Sequence, residues 1–572
     1  MATLASRVVV VATLALALSM HAREDSAAQT TSRLANYRPV TSERLLKPAD
    51  ADWPMVRRTY DGWGYSPLAQ ITPANVARLK PVWSFPTGVN NGHEAPPIVS
   101  DGVMFVATPG NQVIALDATT GSVLWRYRRP IPEGVVLLHP TTRGVALHGD
   151  KVFFAAGEAV LVALDVRTGK EVWTTTVAEN KNGYYMSLAP LVADNKVMIG
   201  ASGGEYGVRG FVAAYNLETG KEIWKTYGVP APGEPGSETW PKGDQWKTGG
   251  APFWVTGNYD PATNLAFWGT GNGGPWNPVA RKGDNLYVAS IIAVRPKTGE
   301  IAWHYQATPN DVYDWDAVWE VILADIKVDG QPRKVAMQMN RNGFLYVLDR
   351  TNGKLISAKA FEKVSWATHV DMATGRPVES EDSKKLRAGG TIDMWPSTRG
   401  GKNWPHAAFN PNTGLLYANT IHGYSTYRFT DLAPFKPGFR YQGIENKYPQ
   451  LTPGEVVGHI EAIDPLTAKP KWRVPLKDYQ VASAILATGG GLLFNGRHTG
   501  EFFAMDADTG ETLWSFQTGS GVNSMPVTWT HKGKQYVTVL SGLGGLYGYT
   551  SRQRLPQVPL GGSVWTFALF DD

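Results

Sequence analysis

One eleven-residue pattern recurs along the chain and constrains its fold more than any other feature. It reads ALDATTGSVLW at 115–125, ALDVRTGKEVW at 163–173, AYNLETGKEIW at 214–224, AVRPKTGEIAW at 293–303 and AMDADTGETLW at 504–514. AIDPLTAKPKW at 462–472 is a weaker copy, VLDRTNGKLIS at 347–357 has lost its tryptophan, and AFNPNTGLLYA at 408–418 keeps only the turn. The pattern is that of a β-hairpin. A strand ends at the Asp, whose carboxylate can accept from the amides of the turn, and Gly then supplies a positive φ. The next strand runs to a Trp able to pack between neighbouring sheets. Short strands such as GVMFVATP, KVFFAAG and KVMIGAS flank the copies, giving about four strands per unit.

Eight such units fit one all-β fold, an eight-bladed β-propeller with four-stranded antiparallel blades and long loop insertions. Length alone allows about three or four domains at ~150 residues each; the repeat replaces them with one. The insertions show in uneven spacing, 79 residues from Asn216 to Arg295 and 115 from Asp349 to Asp464. Helical periodicity is scarce, and ITPANVARL at 71–79 is one short candidate.

Hydrophobic residues at 43% and charged ones at 18% exclude a disordered chain. The net charge of +5 is scattered, with no basic run, so nucleic-acid binding is not expected. There is no cysteine. That excludes disulfides, thiolate metal sites, iron–sulfur clusters and covalently attached c-type haem. Arg7 precedes an apolar run at 8–20 and small residues follow. The run is too short to span a membrane comfortably, and the pattern is that of an export signal. The expectation is a signal peptide at 1–28 and a single mature propeller domain at 29–572, periplasmic, with no membrane span after signal removal.

The stretch NDVYDWDAVWE at 310–320 places Asp311, Asp314 and Asp316 among Tyr313, Trp315 and Trp319. Carboxylates on so much apolar surface cost free energy unless paired. GTGNGG at 269–274 satisfies G-x-G-x-x-G. Two prolines and no helical periodicity follow it, which argues against dinucleotide binding.

The repeats and the stretches between them, from 52–71 to 513–529, resemble the PQQ-dependent (quinoprotein) alcohol dehydrogenases of the methanol/ethanol dehydrogenase family. The resemblance implies an enzyme that oxidises an alcohol to an aldehyde or ketone with PQQ and one metal ion, lanthanide or calcium. Electrons would pass to a soluble cytochrome c or similar acceptor. GASGGEYGVRG, GTGNGGPWN and NDVYDWD place metal ligands at Glu205, Asn272 and Asp314, with Asp314 also the catalytic base. NRNGFLYVLDR places a cation, Arg341, beside the cofactor carbonyls. PQQ contacts fall on Glu94 in HEAP, Arg143 in TTRG, Ser187 in YYMSLAP, and Ser202, Gly203 and Gly204. Trp254 in GGAPFWVTGNYD would lie beneath the quinone, and Asn403 and Trp404 in GGKNWP at its edge. Asp316 matches the extra carboxylate of lanthanide-using members, and Asp311 is read as a turn residue.

The residue chemistry agrees. Glu, Asn and Asp are oxygen ligands for a hard cation, which can polarise a carbonyl. An arginine stabilises negative charge developing on oxygen, and an indole offers a flat apolar floor. Two departures stand out. Many relatives carry adjacent cysteines over the quinone where this chain has Leu137 and Leu138. Many also wall the alcohol pocket with Trp where this chain has Ala482. Both favour a bulky or secondary alcohol. The alternative to an enzyme is a non-enzymatic propeller scaffold of the cell envelope, which gives no reason for Glu205, Asn272, Asp314 and Arg341 to occur together.

Overall fold

The repeat strands assemble as the period-2 pattern and turn residues dictate. The structure, a computed structural model, describes residues 33–477, 483–545 and 555–570; the expected signal peptide and Ala482 lie outside them. Eight blades follow one another at 98–128, 145–176, 191–227, 258–306, 322–360, 408–477, 486–517 and 527–569. The first blade shows the plan. Ile98–Ser100, Val103–Thr108, Gln112–Asp117 and Val123–Arg128 pair antiparallel in chain order. Its first three strands are almost wholly buried, while the fourth alternates exposed and buried residues. First strands of neighbouring blades touch one another, so they line the axis and the fourth strands form the rim.

The ring closes with a strand from the other end of the chain. Leu79–Pro86 pairs with Ser563–Leu569 and is the rim strand of the eighth blade. The candidate helix at 71–79 is reduced to one 3-10 turn, Val76–Arg78. Asn75 accounts for this, because its side chain accepts from Thr72 N at 2.8 Å and donates to Gln70 O at 2.9 Å. Such local bonds compete with helical ones. The long insertions fold on their own. Ala367–Asp371 pairs with Arg376–Glu379, and Ile392–Met394, Ser425–Phe429 and Ile444–Lys447 form a side sheet.

The repeat residues do two jobs. Asp117 accepts from Thr119 N at 2.8 Å and Thr120 N at 3.2 Å, closing the turn. The Trp fastens its blade to the next. Trp125 Nε1 donates to Val166 O at 2.9 Å, Trp173 to Leu217 O at 3.1 Å, Trp224 to Pro296 O at 2.7 Å and Trp303 to Arg350 O at 3.2 Å. Trp472 reaches Ala507 O at 3.0 Å, Trp514 reaches Leu79 O at 3.0 Å, and Trp83 on the N-terminal strand reaches Ala118 O at 3.1 Å. Each of Trp83, Trp125, Trp173, Trp224, Trp303 and Trp472 also lies flush against the turn glycine of the following repeat. A Cβ added to Gly169 would stand 2.5 Å from the Trp125 ring. Where the repeat has lost its Trp, Ser357 Oγ donates to Leu466 O at 2.9 Å instead. The facing turn there has lost its glycine as well, and Ala468 occupies the position at φ 54°. Glycine is thus required where an indole presses on the turn and dispensable where a serine does.

This makes two glycines separable by experiment. Both Gly169 (φ +68°) and Gly330 (φ +77°) sit in the left-handed region, but a Cβ on Gly330 meets nothing within 4 Å. Gly330→Ala should cost about 1 kcal/mol from backbone strain. Gly169→Ala should cost about 3 kcal/mol, since overpacking against Trp125 adds to the same strain. Denaturant unfolding measures both, and equal losses would contradict the indole–glycine contact.

Candidate active site

In a four-stranded meander the loop between second and third strands opens on the same end as the connection to the next blade. The candidate residues occupy only these two kinds of loop, Glu94 lying in the connection from the rim strand Leu79–Pro86 of the eighth blade to the first blade. Ser202–Glu205, Asn272 and Arg341 lie between second and third strands; Arg143, Ser187, Trp254, Asp314, Asp316, Asn403 and Trp404 lie between blades. Ten of them line one cavity, Arg143, Ser187, Gly203, Glu205, Trp254, Asp314, Asp316, Arg341, Asn403 and Trp404, whereas Glu94, Ser202, Gly204 and Asn272 are not among its lining residues. Leu138, His139 and Tyr185 also line it. The family resemblance already places Leu138 over the quinone, but no repeat or local motif flags His139 or Tyr185.

Arg341 organises one wall. Its Nη1 meets Asp316 Oδ2 at 2.6 Å, its Nη2 meets Asp314 Oδ2 at 2.8 Å, and its Nε donates to Thr398 O at 2.8 Å. Asp316 Oδ1 accepts from Asn272 N at 2.5 Å, which brings two expected ligands side by side. A Cβ on Gly271 would stand 2.5 Å from that same oxygen, so Gly271 makes room for Asp316. Gly204 does the same for Asn272, whose Oδ1 would be 2.3 Å from a Cβ there. Asp311 does not face the cavity groups: its Oδ1 accepts from Tyr313 N at 3.1 Å and Trp315 N at 3.2 Å, bracing the loop. The braced loop holds Asp314 at φ 67°, a conformation that costs a non-glycine residue free energy and concentrates at functional sites.

Arg143 organises the opposite wall. Its Nη2 pairs with Glu94 Oε2 at 2.8 Å. Its guanidinium carbon is 4.9 Å from the ring centroids of both Trp254 and Trp404. Trp254 in turn meets Trp319 edge-on at 5.4 Å. Ser187 Oγ and Ser202 Oγ are 3.1 Å apart. Asn403 Oδ1 accepts from Trp404 N at 2.9 Å while its Nδ2 donates to Arg399 O at 2.8 Å.

Charge is not balanced by these pairs. Arg143 is matched by Glu94, which leaves the carboxyls of Glu205, Asp314 and Asp316 facing Arg341, with Arg440 acting on Glu205. Burial pushes Asp314 and Asp316 above the usual carboxylate range; Arg341 opposes this, and neighbouring acids add to it. Burial likewise raises Glu205, although the residue as a whole is only half-buried. His139 is pushed down to about 3 by burial and then by Arg143, so it is neutral at neutral pH.

Among the described residues no three His, Asp or Glu side chains stand as a preassembled metal cage, and Arg341 takes one oxygen of each aspartate. Asp314 Oδ1 and Arg143 Nε are nevertheless buried without a hydrogen-bond partner. A cavity with flat indole walls, an excess of carboxyl oxygens and unmet polar atoms suits a planar anionic cofactor together with a cation.

The chain matches the family described as "PQQ: Glucose/ethanol/alcohol dehydrogenase, beta-propeller domain" over residues 53–371 and 454–537. It belongs to the PQQ-dependent alcohol dehydrogenase family. It is 40% identical over 553 residues to the quinohemoprotein alcohol dehydrogenase ADH IIB of Pseudomonas putida, covering 92% of this chain and 79% of that one. It is also 40% identical over 538 residues to the quinoprotein alcohol dehydrogenase PedH of Pseudomonas putida, covering 89% of each. Among solved structures, a europium-containing methanol dehydrogenase superposes with a TM-score of 0.88 at 35% identity, covering 92% of this chain and 100% of that one. Membership of this dehydrogenase family makes the chain an enzyme and sets the scaffold alternative aside. No helix among the described residues is long and apolar enough to cross a membrane.

The buried acids predict a pH dependence for protein freed of cofactor and metal. A carboxyl whose folded pKa lies above its unfolded value near 4 binds more protons folded than unfolded in the interval between them. Its contribution to stability is therefore complete below about pH 4 and lost as pH rises towards its folded pKa. Urea unfolding should show this dehydrogenase less stable at pH 7 than at pH 5. Asp316→Asn should reduce the difference, and an unchanged difference would contradict the assignment.

Proposed function

We propose that this dehydrogenase oxidises a bulky or secondary alcohol to the aldehyde or ketone, with Asp314 taking the hydroxyl proton. The observation that carries this reading is Asp314 Oδ1, a carboxyl oxygen in a cavity-lining residue, buried and without a partner while Oδ2 is held by Arg341. One oxygen fixes the side chain and the other is left to accept. The chemistry supplied by bound PQQ is removal of two electrons from the carbinol carbon as hydride. Trp254, Trp404 and Arg143 would hold its plane and an acidic edge, with Glu94, Ser187, Ser202, Gly203, Gly204 and Asn403 around it. Arg341 would stabilise negative charge developing on oxygen. A free carboxylic acid of pKa ~3.9 is ionised at neutral pH. Burial alone makes Asp314 reluctant to ionise, so a cation beside it would keep the base charged.

That cation we assign to Glu205, Asn272, Asp314 and Asp316. Three carboxyls favour a trivalent lanthanide over calcium on charge alone, and one solved relative is named for its europium. Leu138 lines the cavity in place of a rigid disulfide ring, which supports room for larger alcohols. With no cysteine in the chain to carry a covalent haem, electrons would leave to a separate carrier such as a soluble cytochrome c. The apolar run at 8–20 supports export to the periplasm.

Asp314→Asn should lower turnover at least ~10²-fold with PQQ and metal still bound, read in a dye-linked assay over a panel from ethanol to polycyclic secondary alcohols. Near-wild-type turnover would refute the base assignment, and a preference for ethanol would refute the substrate class. Asp316 carries the metal choice. Wild type should be activated best by a light lanthanide, and Asp316→Ala should shift the preference towards calcium. Titrating each ion into PQQ-loaded apoprotein decides it; identical responses of the two forms would remove Asp316 from the ligand set.

A further inference from the structure

The same stretch that carries Asp314 and Asp316 ends in Glu320, which the chemistry above does not use. Glu320 is buried and turns away from the cavity into a second charged cluster. Its Oε1 meets Lys402 Nζ at 2.8 Å and accepts from Ala407 N at 2.8 Å. Its Oε2 lies 3.1 Å from His406 Nδ1. Lys402 is buried too, and its Nζ also donates to Asn403 O at 3.1 Å. Trp319 stands between the two sites, with Lys402 Nζ 5.9 Å from its ring and the Arg341 guanidinium 5.9 Å away as well.

The cluster is paired rather than neutral. Burial would raise Glu320, but Lys402 and His406 outweigh it and carry the carboxyl to about 2. Burial lowers His406 to about 4, so at neutral pH the histidine is uncharged and Lys402 supplies the countercharge. The groups facing this pair from other elements are few. Arg57, on the segment before the first blade, acts on all three residues and donates to Thr256 O and Gly257 O, each at 2.8 Å.

A buried ion pair is a poor device for stability, because well-packed apolar residues of similar volume often do as well. Its use lies in geometry. Glu320 belongs to the connection that presents Asp314 and Asp316; Lys402, His406 and Ala407 belong to the next one, which presents Asn403 and Trp404. We infer that the Glu320–Lys402 pair is a strut that sets the Asn403–Trp404 wall against the Asp314–Asp316 wall and so positions the cofactor cleft. Both are positioning residues, and the inference rests on the reading that the cleft holds PQQ. Loss of supporting partners behind a ligand shell costs affinity, typically 10–100-fold at metal sites.

The test uses the full protein with saturating lanthanum. PQQ is titrated against tryptophan fluorescence, and melting temperature is read in parallel, for wild type, Lys402→Met, Glu320→Gln and the double variant. Lys402→Met leaves Glu320 buried without its cation and should melt at least about 5 °C below wild type. The double variant removes both charges and should recover most of that loss. Its PQQ dissociation constant should nevertheless stay at least about 10-fold above wild type. A double variant that binds PQQ as wild type does would overturn the strut. So would one that melts as low as Lys402→Met, since the lost affinity would then be a stability effect. Wild type that fails to bind PQQ would instead sink the reading of the cleft, and the strut with it.

Discussion

The contact between a repeat tryptophan and the turn glycine of the next blade is what the remaining structure depends on. It carries a hydrogen bond from indole to backbone and a close packing that only glycine admits, as at Trp125 and Gly169. Repeated around the ring, it fixes the angle between neighbouring blades. The paired change to Ser357 and Ala468 shows the two halves of the contact varying together. Closure by Leu79–Pro86 brings Trp83 into the same series. A rigid ring brings loops from separate blades to one end of the axis, where no single blade could assemble a cleft.

At that end the energetic problem is charge. The cleft buries more carboxyl than guanidinium, and Arg341 can neutralise only part of it. Protonation relieves the excess in the empty protein and a cation would relieve it in the loaded one. In the proposed reading the two would be alternatives for the same oxygens, which would link metal binding to the protonation of Asp314 and Asp316. Glycines at 204 and 271 keep Cβ atoms out of the space where Asn272 and Asp316 sit. Conformational strain at Asp314 is borne by the turn that Asp311 braces.

Much of this was legible in the sequence. Asp-x-x-Thr-Gly and a Trp at fixed spacing announced the hairpins of seven blades, because each residue type has a local physical reason to be there; the copy at 408–418 is the first hairpin of the blade that also holds 462–472, and the eighth blade carries no copy. Resemblance to a known family marked fourteen residues, of which ten line one cavity. Other features depend on tertiary neighbours. Asn75 stopped the helix expected at 71–79. Arg341, expected beside cofactor carbonyls, is found bridging two aspartates. His139 and Tyr185 line the cavity from the same connections as Arg143 and Ser187, but no local pattern marks them. The Glu320–Lys402 pair spans 82 positions of sequence, and neither residue carries a local pattern that announces a buried charge.

The central claim is that the axial cleft holds PQQ and a metal ion between the Arg341 and Arg143 walls. The most direct measurement is anomalous diffraction from crystals grown with PQQ and a lanthanide. The account predicts one strong anomalous peak bound by Glu205, Asn272, Asp314 and Asp316, with PQQ stacked on Trp254. A cleft free of PQQ, or a peak away from those four side chains, would contradict it.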